Sequence, residues 1–132
     1  MAPTRMPPAV TDASRPFWTG GREGRLLIDR CGACDRWVHP PVASCPACGG
    51  PVEPQPVTGD GTVWSFTVNH HPFNPTVPVP YVVALVELAE QEGLRLPTNI
   101  VGCDPADVRI GMPVHVAFEE LGDLSVPVFR PA

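Results

Sequence analysis

The sequence predicts a mainly β protein in three parts: a flexible lead and short helical arm over residues 1–23, a cysteine-bound lobe over 24–56 and a β-barrel over 57–132. Three observations predict this class. Two Cys-x-x-Cys pairs lie in the first half, and five short apolar runs, several of them alternating, lie in the second. In addition, 19 of the 132 residues are proline, which opposes long helices because it lacks a backbone donor.

The arm is expected to contain one short helix. Ser14 is placed to cap it, and the Gly20-Gly21 pair keeps it short. Phe17 and Trp18 are large apolar residues outside any obvious core. They have two interpretations: packing against the neighbouring lobe, or anchoring a partner protein, for which Trp and Phe are favoured. We take them as candidate partner-binding residues.

The lobe contains four cysteines with the spacing x2, x10, x2: Cys31, Cys34, Cys45 and Cys48. Two Cys-x-x-Cys turns can direct four thiolates at one metal ion, and glycines beside them let the backbone approach closely. A four-sulfur site has no open position for substrate, so the expected role is structural. Zinc is the expected metal, iron in the same four sulfurs stays an alternative, and a dithiol redox centre is the weaker interpretation. His39 lies between the pairs and is expected to be an outer donor.

The second half predicts the barrel. Its five expected strands cover residues 62–70, 81–88, 94–102, 114–119 and 125–129. In the first strand, Trp64, Phe66 and Val68 share one face and are expected in the core. The second is apolar on both faces, which indicates a central strand. Pro97 predicts a bulge or an edge in the third strand, and residues 51–60 are expected to form a proline-rich link before the barrel.

Few other residues suggest chemistry. Cys103 is the odd cysteine and is expected to be a small buried side chain, with nucleophilic catalysis as the alternative. A proline-rich loop follows the first barrel strand, and loops often carry function. We therefore add residues from its beginning to the candidate partner-binding set: His70, His71, Pro72 and Phe73. No catalytic triad, paired-carboxylate motif or phosphate-binding loop is recognised, so the predicted catalytic set is empty.

Charge and hydropathy limit the partners. The net charge is −5, which opposes binding to a phosphate backbone. No apolar run reaches the ~18 residues that a membrane-spanning helix needs. No apolar core of the signal-peptide type is recognised near the N-terminus, so we expect a cytoplasmic protein. In that compartment paired cysteines favour metal over disulfides. We expect the protein to bind neither nucleic acid nor membrane.

The stretch FWTGGREGRLLIDRCGACDRWVHPPVASCPACGG resembles the N-terminal zinc ribbon of an acyl-CoA-associated OB-fold family, once catalogued as a domain of unknown function. The segments GTVWSFTVNHH, PYVVALVELAE and NIVGCDPADVRIGMPVHVAFEEL resemble its barrel strands. The resemblance covers residues 14 to 130. It implies an N-terminal helical arm, a rubredoxin-like zinc ribbon and a five-stranded OB-fold barrel.

The resemblance also implies a non-catalytic accessory subunit beside a thiolase-fold acyl-CoA enzyme. The version we expect is a retro-aldolase that cleaves a steroid side-chain CoA thioester, in a heterotetramer of two plus two subunits that holds the acyl-CoA. Alternatives are a partner of a thiolase or a hotdog-fold hydratase that channels acyl-CoA, and a single-stranded nucleic-acid-binding OB protein. The last would need a basic groove with stacking aromatic side chains.

Overall fold

The computed structural model describes residues 7–132; residues 1–6 of the predicted flexible lead lie outside the described part. Its helical elements are α1 (Arg15–Thr19) and two 3-10 helices (Gly20–Glu23, Pro105–Asp107). Its strands are β1 (Leu26–Cys31), β2 (Trp37–Val38), β3 (Val52–Val57), β4 (Asp60–Asn69), β5 (Tyr81–Leu88), β6 (Arg95–Ile100), β7 (Pro113–Leu121) and β8 (Leu124–Pro131). The mainly β prediction is confirmed. Among residues 7–132, no helix is long and apolar enough to cross a membrane.

The cysteine lobe is a three-stranded sheet with the order β2-β1-β3. The link predicted over residues 51–60 is wrong in part, because residues 52–57 form β3 and pair with β1 from Leu26↔Val57 to Cys31↔Val52. β3 is an edge strand in this order, and prolines such as Pro54 and Pro56 are tolerated at an edge. The proline content of this segment therefore concealed a strand.

Five strands close the predicted barrel in the order β4-β5-β6-β8-β7. All five strands expected from the apolar runs are present, with ends shifted by a few residues. β5 pairs with β4 on one side and β6 on the other, so its central position is confirmed. Its inward side chains are buried, whereas Val83 on the outward face is 40% exposed. The apolar character of both β5 faces therefore leaves an uncovered apolar surface outside the barrel.

The face predicted for Trp64 is wrong. The register between β4 and β5 shifts between Val63 and Ser65, and Trp64 is the extra residue of this bulge. The bulge leaves Val63 in the core at 1% exposure and turns Trp64 outward at 45% exposure, while Phe66 still packs against the core. The Arg95 guanidinium lies 3.8 Å from the centre of the Trp64 ring and covers part of it.

The bulge predicted at Pro97 is absent: β6 pairs with β5 in an uninterrupted register from Arg95 to Ile100. The side of β6 that faces β8 resembles a sheet edge, because few of its backbone groups are paired with β8. β6 and β8 close the barrel in parallel through the pair Ile100↔Phe129. Beside this contact the Thr98 hydroxyl donates a hydrogen bond to the Pro127 carbonyl at 3.1 Å. β6 and β8 thus share fewer paired residues than any other neighbouring strands of the barrel, and we call the junction between them the seam.

Ribbon and barrel share one apolar core. Leu26, Ile28 and Trp37 from the ribbon strands pack in the same buried cluster as Val63 and Phe129 of the barrel. A lobe of this size has too few apolar residues for a core of its own. It is stabilised instead by the barrel, at about 25 cal/mol for each Å² of apolar surface removed from water.

The helical arm packs against the same core. Phe17 is 7% exposed, a burial that stabilises by about 1.5–3 kcal/mol, so the packing interpretation of Phe17 is the one the structure favours. Ser14 occupies the N-cap position, but its side chain does not cap the helix; its hydroxyl accepts from the Thr11 N–H instead. A Cβ on Gly21 would lie 2.3 Å from the Phe118 ring, so glycine is required where the arm meets β7.

A side-chain clamp fixes the ribbon to the barrel. The Gln91 carboxamide accepts a hydrogen bond from the Trp37 N–H at 2.9 Å and donates one to the Trp37 carbonyl at 3.0 Å. Gln91 lies in the β5–β6 turn, and its neighbour Glu90 accepts from the Thr58 N–H at 2.8 Å. The turn thereby pairs with β2 as a further strand would.

We expect Gln91→Ala to lower the free energy of unfolding of the metal-loaded protein by about 1–3 kcal/mol, because two half-buried backbone groups of Trp37 lose their partner. Gln55→Ala, on the exposed edge strand, is the control and should change stability by less than about 0.5 kcal/mol. Urea unfolding followed by tryptophan fluorescence measures both. Equal stability of the two variants would show that the clamp contributes nothing.

Candidate metal centre and partner surface

The two Cys-x-x-Cys pairs form equivalent turns. Each is closed by a hydrogen bond to the carbonyl of its first cysteine, from Asp35 N–H to Cys31 at 3.0 Å and from Gly49 N–H to Cys45 at 2.7 Å. Asp35 and Gly49 occupy the same position in the two turns and have φ of 62° and 74°. Asp and Gly are among the residues that adopt this left-handed conformation most readily.

The four sulfur atoms converge. All lie within 4.8 Å of one another, with Cys31 to Cys48 at 3.5 Å and Cys34 to Cys45 at 3.8 Å. A tetrahedral ion with metal–sulfur bonds of about 2.3 Å would set its ligands about 3.8 Å apart. These separations are far longer than a disulfide bond, and all four cysteines are free. The geometry is that of a tetrahedral tetrathiolate site.

Backbone donors prepare the sulfurs to carry negative charge. The Cys34 N–H and then the Ala33 N–H donate to the Cys31 sulfur at 3.4 Å each and lower the pKa of Cys31 to about 6. The Cys48 N–H lowers the pKa of Cys45 in the same way. The Gly50 N–H lowers the pKa of Cys48, but the neighbouring cysteines, Cys31 first, outweigh it and raise that pKa to about 12. Four adjacent thiolates thus require a cation to be ionised together.

The site leaves room for the ion but not for a substrate. A Cβ on Gly50 would lie 3.1 Å from the Cys31 sulfur and 3.2 Å from the Cys48 sulfur, so the glycine allows the backbone to approach. Cys31 and Cys45 are buried, and Cys34 and Cys48 face solvent. Four sulfurs complete the coordination of the ion. The cluster is therefore a structural metal site that holds the two turns together.

His39 does not support the metal site. Among the described residues it has no hydrogen bond to a cysteine, and its ring packs against Phe17 with centroids 5.0 Å apart. Its buried Nδ1 has no hydrogen-bond partner in the described part of the chain, and burial lowers the pKa of His39 to about 4. The prediction of an outer donor is wrong: His39 is a neutral ring that joins the ribbon to the arm.

Cys103 lies apart from the metal cluster and is half-buried. Burial raises the pKa of its thiol, and the Asp107 and Asp104 carboxylates raise it further. A raised pKa reduces the thiolate fraction that a nucleophile needs. The structure therefore favours the interpretation of Cys103 as a small packing residue.

The candidate partner residues fall into two groups. Phe17 and Trp18 lie in the arm with rings edge to face at 4.8 Å, Phe17 buried and Trp18 half-buried. The loop group, His70 to Phe73, is exposed, and Phe73 is 75% exposed with its ring 4.4 Å from that of His71. A partner can reach the loop group directly, but it can reach Phe17 only through a cavity between the arm and the barrel.

That cavity is an apolar groove of about 490 Å³, which we call the seam groove. It lies between the arm, the loop after β4, the outward face of β5 and the β6–β8 seam. The residues that line it are Phe17, Trp18, Asn74, Val77, Pro78, Tyr81, Val83, Pro97, Thr98, Asn99, Ile100, Val101, Glu119, Val126 and Pro127. Sequence reasoning missed the groove, although the apolar outward face of β5, with Tyr81 and Val83, was its signal.

Two family models together match residues 18–119. The model described as "ChsH2, rubredoxin-like zinc ribbon domain" matches residues 18–53. The model described as "ChsH2, C-terminal OB-fold domain" matches residues 54–119. Together they cover the metal site, the clamp and most of the barrel.

Known proteins of similar sequence and structure carry related names. A chain of the solved "Ltp2-ChsH2(DUF35) aldolase" is 44% identical, with a TM-score of 0.83, and the match covers 95% of this chain and 98% of that one. A "3-oxo-4,17-pregnadiene-20-carboxyl-CoA hydratase alpha subunit" from Mycobacterium tuberculosis is 39% identical over 96% of this chain. This chain spans 40% of the length of that subunit. A "DUF35 domain-containing scaffold protein" from Methanocaldococcus jannaschii is 35% identical over 79% of this chain and 75% of its own length.

We expect Cys34→Ser to lower the metal affinity at least about tenfold. Loss of a residue that only hydrogen-bonds to a metal ligand already lowers metal affinity by that factor, and Cys34 is expected to be a ligand itself. Competition with a chromogenic chelator measures the affinity, and elemental analysis measures the metal content. Cys103→Ser is the matched control and should retain one metal ion per chain. Full metal retention by Cys34→Ser, or loss by Cys103→Ser, would contradict the assignment of the four ligands.

Proposed function

The chain belongs to the DUF35 family, in which a ChsH2-type zinc ribbon precedes an OB-fold domain, and we propose that it is a non-catalytic accessory subunit of a thiolase-fold acyl-CoA enzyme. The enzyme we propose is a retro-aldolase that cleaves a steroid side-chain CoA thioester. The observation that carries the proposal is the likeness to the chain in the solved aldolase, which extends over both the ribbon and the barrel. The scaffold name of the archaeal relative supports the same role.

The chemistry of the described residues supports a non-catalytic role. The metal site is coordinatively complete, and the raised pKa of Cys103 opposes nucleophilic catalysis. The Asp60 carboxylate lies 2.7 Å from Nδ1 of His115, but both side chains are at least half exposed to water. Among residues 7–132, no nucleophile has a hydrogen bond to this pair. We therefore assign the cleavage reaction to the partner enzyme subunit.

Zinc is the metal we propose for the tetrathiolate site. Zinc accepts four thiolates in a tetrahedron without redox change, and such sites contribute about 10 kcal/mol or more to the folding of small domains. Iron takes the same ligands in rubredoxin-like sites, so metal content distinguishes the two. The residues proposed to hold zinc are Cys31, Cys34, Cys45 and Cys48.

For the assembly we propose two copies of this chain and two of the enzyme, with the acyl-CoA held by the complex in the cytoplasm. The proposed contacts on this chain are Phe17 and Trp18 in the arm together with His70, His71, Pro72 and Phe73. Phe73 supports the proposal because an aromatic ring 75% exposed to water gains from burial in an interface.

A second candidate partner is an acyl-CoA hydratase of the hotdog fold. The name of the Mycobacterium tuberculosis relative favours it, since that protein is a hydratase subunit. Nucleic-acid binding is opposed by charge: residues 57–132 contain nine acidic residues and three arginines, which would repel a phosphate backbone.

We expect this chain, co-expressed with the Ltp2 subunit of the solved aldolase, to elute with it as one species of two plus two subunits. The complex should cleave a steroid side-chain β-hydroxyacyl-CoA, whereas this chain alone should show no aldolase turnover. Size exclusion with light scattering and a coupled assay measure the two results. Separate elution, with the enzyme subunit fully active alone, would contradict the accessory role; complex formation with a hydratase instead would favour the second candidate.

A further inference from the structure

The charges of the chain are divided unequally between its two parts. Residues 1–56 contain six arginines and five acidic residues, whereas residues 57–132 contain three arginines and nine acidic residues. The barrel therefore has a net charge of −6, whereas residues 1–56 have a net charge of +1. An acidic barrel attracts a partner surface of positive charge and raises the rate at which the two associate.

Part of this acidic charge borders the seam groove. Glu119 is among the lining residues, and none of the lining residues within the described range 7–132 is basic. Glu120 and Asp123 follow in the β7–β8 hairpin and are exposed. In that hairpin Glu119 pairs with Val126, which also lines the groove, so the acidic turn stands at the end of the groove. We call Glu120 and Asp123 the acidic rim.

The walls of the groove favour side chains over an added strand. Trp18, Tyr81 and Val83 present apolar surface that a partner's apolar side chains can cover. The two strands that border the seam carry Pro97 and Pro127, which lack backbone N–H groups, so the seam is poorly equipped to pair with an extended peptide. The arm that forms one wall packs closely on the barrel at Gly21.

We propose that the seam groove receives an apolar segment of the partner enzyme subunit, and that Arg or Lys side chains flanking this segment pair with the acidic rim. The inference rests on the proposed function, since it names the surface through which this chain holds its enzyme. Apolar contacts in the groove supply most of the affinity, and the acidic rim orients the segment.

Val83→Arg tests the apolar part of the proposal. Val83 is 40% exposed on a strand surface, so the substitution leaves the core intact while it places a cation in the groove. The expected result is a Kd for purified Ltp2 at least about tenfold higher than that of the unsubstituted chain, measured by calorimetry on metal-loaded protein. Ile110→Arg adds the same charge at a residue that is 72% exposed and outside the groove, and should change the Kd by less than about twofold.

The double variant Glu120→Arg/Asp123→Arg tests the acidic rim at two exposed positions of a turn, where folding is not at risk. We expect a Kd about tenfold higher or more and a reduced salt dependence of binding. Glu53→Arg/Glu92→Arg makes the same change in net charge at exposed positions elsewhere and should bind as the unsubstituted chain does.

The outcomes separate the two proposals. If the unsubstituted chain binds Ltp2 and both groove variants bind equally well, the groove is not the docking surface while the accessory role stands. If the control variants lose as much affinity as the groove variants, the effect is not local and the groove assignment is overturned. If the unsubstituted chain does not bind Ltp2, the proposed function fails and the groove assignment fails with it.

Discussion

The convergence of four cysteine sulfurs on one point is the constraint on which the rest of the structure depends. The sulfurs lie within 4.8 Å of one another, and without a cation their charges would repel. With a metal ion, the two turns become fixed points from which β1 and β3 extend. β1 then carries Leu26 and Ile28 into the core shared with the barrel. A metal ion at this site would thereby link the ribbon, which has only a small cluster of its own around Cys31, Val38 and Cys45, to the large core of the barrel.

The arm and the groove follow from that shared core. His39 of the ribbon provides the ring against which Phe17 packs, and Phe17 forms one wall of the seam groove. The opposite wall exists because β6 and β8 meet through one residue pair, which leaves the barrel surface indented beside the seam. The groove is thus assembled from all three parts of the chain. In our proposal, this shaped, acidic-rimmed surface is the one that the enzyme subunit contacts.

The sequence predicted the features that depend on neighbouring residues. Cysteine spacing is local, so it predicted that the four sulfurs converge, and the apolar runs located all five barrel strands. The errors concern features set by tertiary contacts. Strict alternation predicts Trp64 in the core because it takes no account of a bulge, and the prolines of residues 51–60 predict a link although residues 52–57 form an edge strand. The apolar outward face of β5 was the one sequence signal of the groove, but its shape could not be predicted, since its walls come together only in the folded chain.

The central claim is that the metal-held ribbon and arm maintain the surface that binds the enzyme subunit. The most direct measurement is the Kd for purified Ltp2 of the same preparation before and after metal removal, with metal content verified by mass spectrometry. The account predicts that the metal-free chain binds at least about tenfold more weakly, and that restoring zinc restores the original affinity. An unchanged Kd in protein verified to be metal-free would contradict it.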